Sequence, residues 1–231
     1  MELHSRISQH QSDRTDTPTP DEITEKGRVI IAGTGRFGQV VNRLVRLSGL
    51  TTIVLDSDKA TIETMRRFGV KGFLGDPSRP ELLAAAGLAD CEVLVVAVDD
   101  HDNAMKIVRH ARTQRPDLHI VARARDRVHA YKLFQAGASD IVRETFDSSI
   151  RASRYVLENI SFTEYEAAAL FRTYFKVDRA AMRELAKVWE PDKPLHLNEA
   201  YIARAKQLDR DLETALMDEL YEARPMQGAA E

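Results

Sequence analysis

With 231 residues, 43% apolar side chains, a net charge of −3 and a pI near 6.2, the chain has enough apolar residues for a full core and lacks the basic excess of a nucleic-acid binder. A single cysteine, Cys91, excludes an internal disulfide framework, the seven histidines show no metal-ligand spacing, and no apolar run approaches the ~18 residues of a membrane span. These limits predict a water-soluble chain from a reducing compartment, one domain with an appendage, and no metal site.

Residues 1–27 are polar, with Leu3, Ile7 and Ile23 as aliphatic exceptions, and their six acidic and three basic residues account for the whole formal charge of −3. The segment reads as a linker rather than a signal peptide, and its length predicts something joined ahead of it. From Arg28 the texture changes. The runs RVIIA, TTIVLD, VKGFL, EVLVVAV, LHIVAR and SDIVR predict six strands, VKGFL and SDIVR being the weaker, with amphipathic segments between them. After the first strand, Phe37, Val40, Val41, Leu44 and Val45 predict one apolar helix stripe lying on the sheet, and Ala104, Ile107, Val108 and Ala111 repeat the pattern later. Alternating strands and helices over residues 28–143 predict an α/β domain, a Rossmann-type six-stranded parallel sheet.

Beyond Val142 helical periodicity takes over, and residues 144–231 read as a helical dimerisation or appendage region. Phe146, Ile150, Ser153, Leu157 and Ile160 share one face. Tyr201, Ala205, Leu208, Leu212 and Ala215 have the seam spacing of a helix packed on another, either within the chain or between subunits. Pro191 and Pro194 part this last helix from the one before it.

The chemistry-bearing motif is GTGRFG, with Gly33, Gly35 and Gly38 directly after the first strand and at the opening of a helix. In that setting Gly33 permits a tight turn, Gly35 lets backbone approach a phosphate, and Gly38 lets the helix sit close to the sheet. Asp56 ends the second strand 18 residues after Gly38, near the spacing of a ribose-binding carboxylate. A carboxylate there repels a 2′-phosphate, so NAD(H), AMP or ATP is expected rather than NADP, and Asp58 reinforces the choice. Arg36 either meets the phosphates or is a solvated residue of the helix's first turn.

No proton donor or substrate pocket accompanies this motif, so no catalytic residue is assigned. His101 and His129 lie in charged, helix-forming segments and read as surface residues. Cys91 has no histidine or CxxC partner and reads as a half-buried structural thiol.

In order and spacing, RVIIAGTGRFGQVV, FGVKGFLGDPSRPELLAAAGL, VLVVAVDD, VARARDRVHAYKLFQAGA and RETF resemble the cytosolic regulatory domain of Kef-type glutathione-gated potassium efflux systems, of the RCK/KTN class. The likeness covers about residues 21–178, and RARDR with RETF marks the Kef type. It implies a nucleotide, AMP or NAD(H), in the glycine cleft, held by Gly33, Thr34, Gly35, Arg36, Phe37, Gly38, Asp56, Ser57, Asp58, Gly75, Asp76, Asp99 and Arg123. It also implies glutathione or its adducts near a dimer interface, with Phe68 as aromatic switch and Arg43 and Arg143 as holding arginines.

Further implications are a homodimer, a membrane-embedded potassium/proton antiporter domain preceding the linker, an ancillary oxidoreductase subunit, and a place on the cytoplasmic side of the inner membrane. Arg143 then becomes a candidate contact for an acidic loop of the membrane domain. Two positions depart from the pattern. Thr34 stands where relatives carry an aromatic, and Asp178 stands where they present an asparagine from the neighbouring subunit to glutathione. The rival readings are a small NAD-dependent oxidoreductase and a free-standing regulatory subunit of a potassium uptake channel.

Overall fold

The computed structural model describes residues 21–223; the first 20 residues of the predicted linker lie outside them. The six predicted strands form one parallel sheet, β1 Val29–Ala32, β2 Thr52–Asp56, β3 Phe73–Leu74, β4 Val93–Val96, β5 His119–Ala124 and β6 Asp140–Arg143, in the order β3-β2-β1-β4-β5-β6. The register pairs Ala32 with both Leu55 and Val96, so β1 and β4 are neighbours whose connections leave in opposite directions. A crevice therefore opens at the carboxyl ends of β1 and β4, the topological switch point where ligands of doubly wound sheets sit.

Successive strand residues point to opposite faces, and both faces are covered. On one, Ile30, Ala32, Leu94 and Val96 pack against Ala104, Ile107 and Val108 of α4 (His101–Gln114) and Leu133 of α5 (Arg127–Ala136). On the other, Ile31, Val54 and Val95 meet Phe37, Val41 and Val45 of α1 (Arg36–Leu47) and Ile62 and Met65 of α2 (Lys59–Arg67). A short α3 (Pro80–Ala85) completes the sheet's surroundings.

The predicted single stripe on α1 is corrected. Phe37, Val41 and Val45 pack on the sheet, whereas Val40 and Leu44, with Leu47, are at least 70% exposed. Residues 37, 41 and 45 follow one line along the helix, and 40, 44 and 47 follow another on the outer side.

After β6 come α6 (Phe146–Glu158), α7 (Glu164–Val188) and α8 (Glu199–Ala223). Thr163 and Glu166 close a capping box that starts α7. Helices α7 and α8 form an antiparallel hairpin, tied at one end by Leu185, Trp189 and Tyr201 and at the other by a Thr173–Glu219 hydrogen bond of 2.6 Å. Ala205 and Leu208 of the predicted seam thus pack within the chain. On α6, Ile150 is buried, whereas Ile160 lies beyond the helix end and is exposed. Among the described residues no helix is long and apolar enough to cross a membrane.

Candidate functional site

The glycine motif forms a rigid turn at the switch point. Gly33 has φ +95°, and a Cβ there would lie 2.6 Å from the Val98 nitrogen. A Cβ on Gly38 would lie 2.1 Å from the Gly33 carbonyl oxygen, so only glycine lets α1 approach the end of β1 this closely. Gly35 differs, since a Cβ there would meet nothing nearer than Asp99 Oδ2 at 3.8 Å. The space beside Gly35 is open, α1 has no acidic residue in its first turn, and no side chain caps its start. Its first amides and its dipole therefore face the crevice unneutralised, an arrangement that attracts an anion.

Asp56 sits at the other wall. One carboxylate oxygen accepts from the Thr34 amide at 2.6 Å and the Thr34 hydroxyl at 3.1 Å, and the other accepts from the Asp58 amide at 2.8 Å. Thr34 itself is buried and is not among the residues lining the cleft beside Gly35. Asp58 caps α2, and the Thr61 hydroxyl and amide hold its carboxyl below the usual carboxylate range. The Gly75 amide donates to the Asp56 carbonyl at 2.8 Å, fixing the loop that carries Asp76.

These residues enclose a cleft of about 280 Å³ lined by Gly33, Gly35, Asp56, Ser57, Asp58, Asp76 and Asp99 of the expected set. Asp100 and Asn103, at the start of α4, also line it and were not anticipated; only the β4 end-point, one turn after VLVVAV, pointed to them. Five aspartates around one small cleft give it a negative field except at the start of α1, which disfavours any further phosphate on a ligand. Among the described residues no group of three or more His, Cys, Asp or Glu side chains is placed to hold a metal ion.

The remaining expected residues stand around the cleft without lining it. Phe37 packs on the sheet and Gly38 is buried. Arg36 is exposed, its guanidinium 3.8 Å from Glu144. Arg123 is buried, pairs with Asp99 at the cleft wall and lies 3.8 Å from the same Glu144.

Of the residues expected around glutathione, Arg143 and Asp178 are brought together and the other two are not. Arg143 pairs with Asp178 of the same chain, and Arg127 lies 3.5 Å from that carboxylate. The Arg143 guanidinium also stacks 3.6 Å above the Phe146 ring. Its side chain is 16% exposed, so little of the residue expected to contact an acidic loop faces solvent. Arg43 is exposed on α1, and Phe68, the expected aromatic switch, is 80% exposed at the end of α2. Two further readings change. His129 is buried and stacked on His101, not at the surface, and Cys91 is fully buried, its thiol pushed up chiefly by burial.

Residues 29–144, half of the chain, match the TrkA-N domain model, and residues 148–230 match the potassium efflux system KefB C-terminal domain model. The glutathione-regulated potassium-efflux system protein KefC of Cronobacter sakazakii is 47% identical over 158 residues, which is 67% of this chain and 26% of that protein. Its counterpart in Escherichia coli O139:H28 is 41% identical over 179 residues, 77% of this chain and 29% of that protein. The chain thus spans about a quarter to three tenths of these relatives' length.

Among solved structures, a Shewanella denitrificans Kef C-terminal domain in AMP-bound form is 39% identical, with a TM-score of 0.65 over 72% of this chain and 100% of that one. The TrkA-N domain of Escherichia coli inner membrane protein YbaL shares the fold at 24% identity and a TM-score of 0.50, over 58% of this chain and 97% of that one. A glycine-framed parallel sheet, two family models and a solved domain matched along its whole length agree, and the chain belongs to the TrkA-N family as a regulatory domain of the Kef potassium-efflux type.

Proposed function

We propose that this domain is a nucleotide-responsive gate for a potassium efflux antiporter, binding AMP or NAD(H) in the cleft beside Gly35 and leaving the nucleotide chemically unchanged. The observation that carries the reading is the open space at Gly35 facing the uncapped start of α1, in the cleft position of a fold whose AMP-bound relative is 39% identical. The phosphate goes to the α1 amides and the ribose goes to Asp56, whose Oδ1 accepts only the Asp58 amide and retains an acceptor site, while Oδ2 is taken by Thr34.

Calorimetric titration tests this directly. AMP and NADH are expected to bind and NADPH to bind at least tenfold more weakly, while Asp56→Ala weakens AMP by about 1.5–3 kcal/mol of hydrogen bonding to a charged group. Equal affinity for NADH and NADPH removes the role given to Asp56. Incubation with NADH and carbonyl substrates separates this reading from an oxidoreductase, since turnover contradicts it.

The gating reading extends to the assembly. The domain acts on the cytoplasmic side, attached to a membrane-embedded potassium/proton antiporter, and works as a homodimer. Exposed apolar side chains on α1 (Val40, Leu44, Leu47) and at α6 (Tyr155, Val156, Ile160) support a subunit contact, since a lone domain leaves them in water. A ligand gates by binding one dimer arrangement better than another. Light scattering at micromolar concentration is expected to give a dimer for the native chain and a monomer for Val156→Glu combined with Ile160→Glu. A monomeric native chain defeats the dimer.

Glutathione or its adducts form a second ligand reading, centred on Arg143. Its support is the resemblance of RETF and the efflux relatives, and in this chain Asp178 already occupies the Arg143 guanidinium.

A further inference from the structure

His101 is the first residue of α4 and His129 the third of α5, so both lie in the opening turns of two neighbouring helices. Asp100 caps α4 by accepting from the Asn103 amide at 2.7 Å, and Asp126 caps α5 by accepting from the His129 amide at 2.8 Å. The two imidazoles stack with centroids 4.0 Å apart and planes inclined by 21°. His129 is 97% buried, and the Nε2 atoms of both rings are buried without a hydrogen-bond partner.

The contacts define the protonation state. The Arg125 backbone amide donates to His129 Nδ1 at 3.3 Å, so Nδ1 is an acceptor and the ring's one proton is on Nε2. A second proton on this ring would set an N–H against the Arg125 N–H. It would also put a cation against a stacked imidazole and beside two helix starts whose dipoles are positive.

The charges facing the pair come from every element around it. Arg123 from the end of β5 and Lys132 from α5 oppose a proton on His129, as does His101; Asp126 favours it. On α4, Asp100 and Asp102 flank His101 in sequence, and beyond Arg123 lie its partners Asp99 and Glu144. The balance is against protonation. Burial first, with His101 adding to it, holds His129 down at about 4.

The stack does not line the cleft, yet it joins the element that does. Asp99, Asp100 and Asn103 form one cleft wall, and they precede and begin the helix whose first residue is His101. Resting on the nucleotide reading above, we propose that the His101–His129 stack is a proton-binding site coupled to the cleft: a proton separates the rings, parts the starts of α4 and α5, and weakens nucleotide binding.

The sign follows from the depressed acidity constant. The neutral pair stabilises the closed junction fully above the ordinary histidine value of 6.5, and that contribution is lost as pH falls from 6.5 towards about 4. By linkage, a bound nucleotide in turn opposes the proton.

The test uses NAD⁺, whose charge is constant between pH 7.5 and 5.0, titrated calorimetrically into the full chain over that range, with imidazole resonances followed by NMR down to about pH 4. With His129 held at about 4, only about a tenth of it is protonated at pH 5.0, so native NAD⁺ affinity is expected to fall by no more than about a tenth in this range. His129→Asn keeps an acceptor for the Arg125 amide without a titrating group, and His101→Phe keeps a stacked ring. His129→Asn is expected to bind NAD⁺ alike at the two pH values, whereas His101→Phe removes a group that opposes the proton on His129 and is expected to lose more NAD⁺ affinity at pH 5.0 than the native protein.

By NMR, the resonance lost in His129→Asn should remain that of neutral imidazole below pH 5, with NAD⁺ moving its midpoint lower still. An affinity change with pH that is the same in His129→Asn and in His101→Phe, or a His129 resonance titrating at its ordinary value with or without NAD⁺, overturns the proposal. Absence of NAD⁺ binding at pH 7.5 removes the nucleotide reading and with it the coupling, while the NMR titration still decides whether the stack resists the proton.

Discussion

Gly38→Ala is expected to destabilise the domain severely, whereas Gly35→Ala leaves it folded and abolishes nucleotide binding. The alanine methyl at position 38 would lie 2.1 Å from the Gly33 carbonyl oxygen and 3.1 Å from its carbon, both backbone atoms that no rotamer change can move. Relief requires α1 to shift against β1, and overpacking of this kind costs about 3 kcal/mol or more. A fall in the urea midpoint at unchanged slope measures it. At position 35 the backbone has φ −58° and a methyl meets only Asp99 Oδ2 at 3.8 Å, so the folded chain accepts it. The cost there stays within about 1 kcal/mol, the ordinary penalty for alanine at a helix start. The same methyl fills the space that a phosphate needs. Equal destabilisation by both substitutions would show the glycine frame to be a packing device with no ligand role.

Asp178→Ala is the second large effect expected. Its carboxylate is 7% exposed and holds Arg143, 16% exposed, with Arg127 at 3.5 Å. Deleting one partner of a buried pair leaves an uncompensated charge and destabilises by about 3–5 kcal/mol. Asp178→Asn keeps the volume and a hydrogen-bonding oxygen, so the fold survives while the Arg143 guanidinium is released. Glutathione, whose carboxylates compete with Asp178 for that cation, should then bind more tightly by about 1.5–3 kcal/mol, roughly ten- to a hundredfold, and less so at high salt. The comparison is glutathione titration of the native chain, Asp178→Asn and Arg143→Ala. If all three give the same affinity, no glutathione site includes this pair.

The six strands were legible because β-branched runs and helical spacing alternate without interruption from Arg28 to Arg143. The glycine turn was legible for a related reason, since its steric demands are local: Gly33, Gly38 and the end of β1 lie within a few residues of one another. What was not legible depends on contacts between distant positions. Periodicity finds two apolar lines on α1, at 37/41/45 and at 40/44/47, and nothing local says which meets the sheet. Thr34 reaches Asp56 across 22 positions, and Arg143 reaches Asp178 across 35. The second of these contacts turns an expected ligand-binding arginine into half of an ion pair. His129 looked like a surface residue because charged neighbours surround it in sequence, yet the turn that starts α5 directs its ring inward onto His101.

Whether the crevice at Gly35 holds a nucleotide is the claim on which the rest depends, and crystallising the chain with AMP tests it most directly. Density for the phosphate is expected at the first amides of α1, beside Gly35, with the ribose on the Asp56 carboxylate. AMP bound elsewhere on the domain, or an empty cleft at saturating AMP, would contradict it.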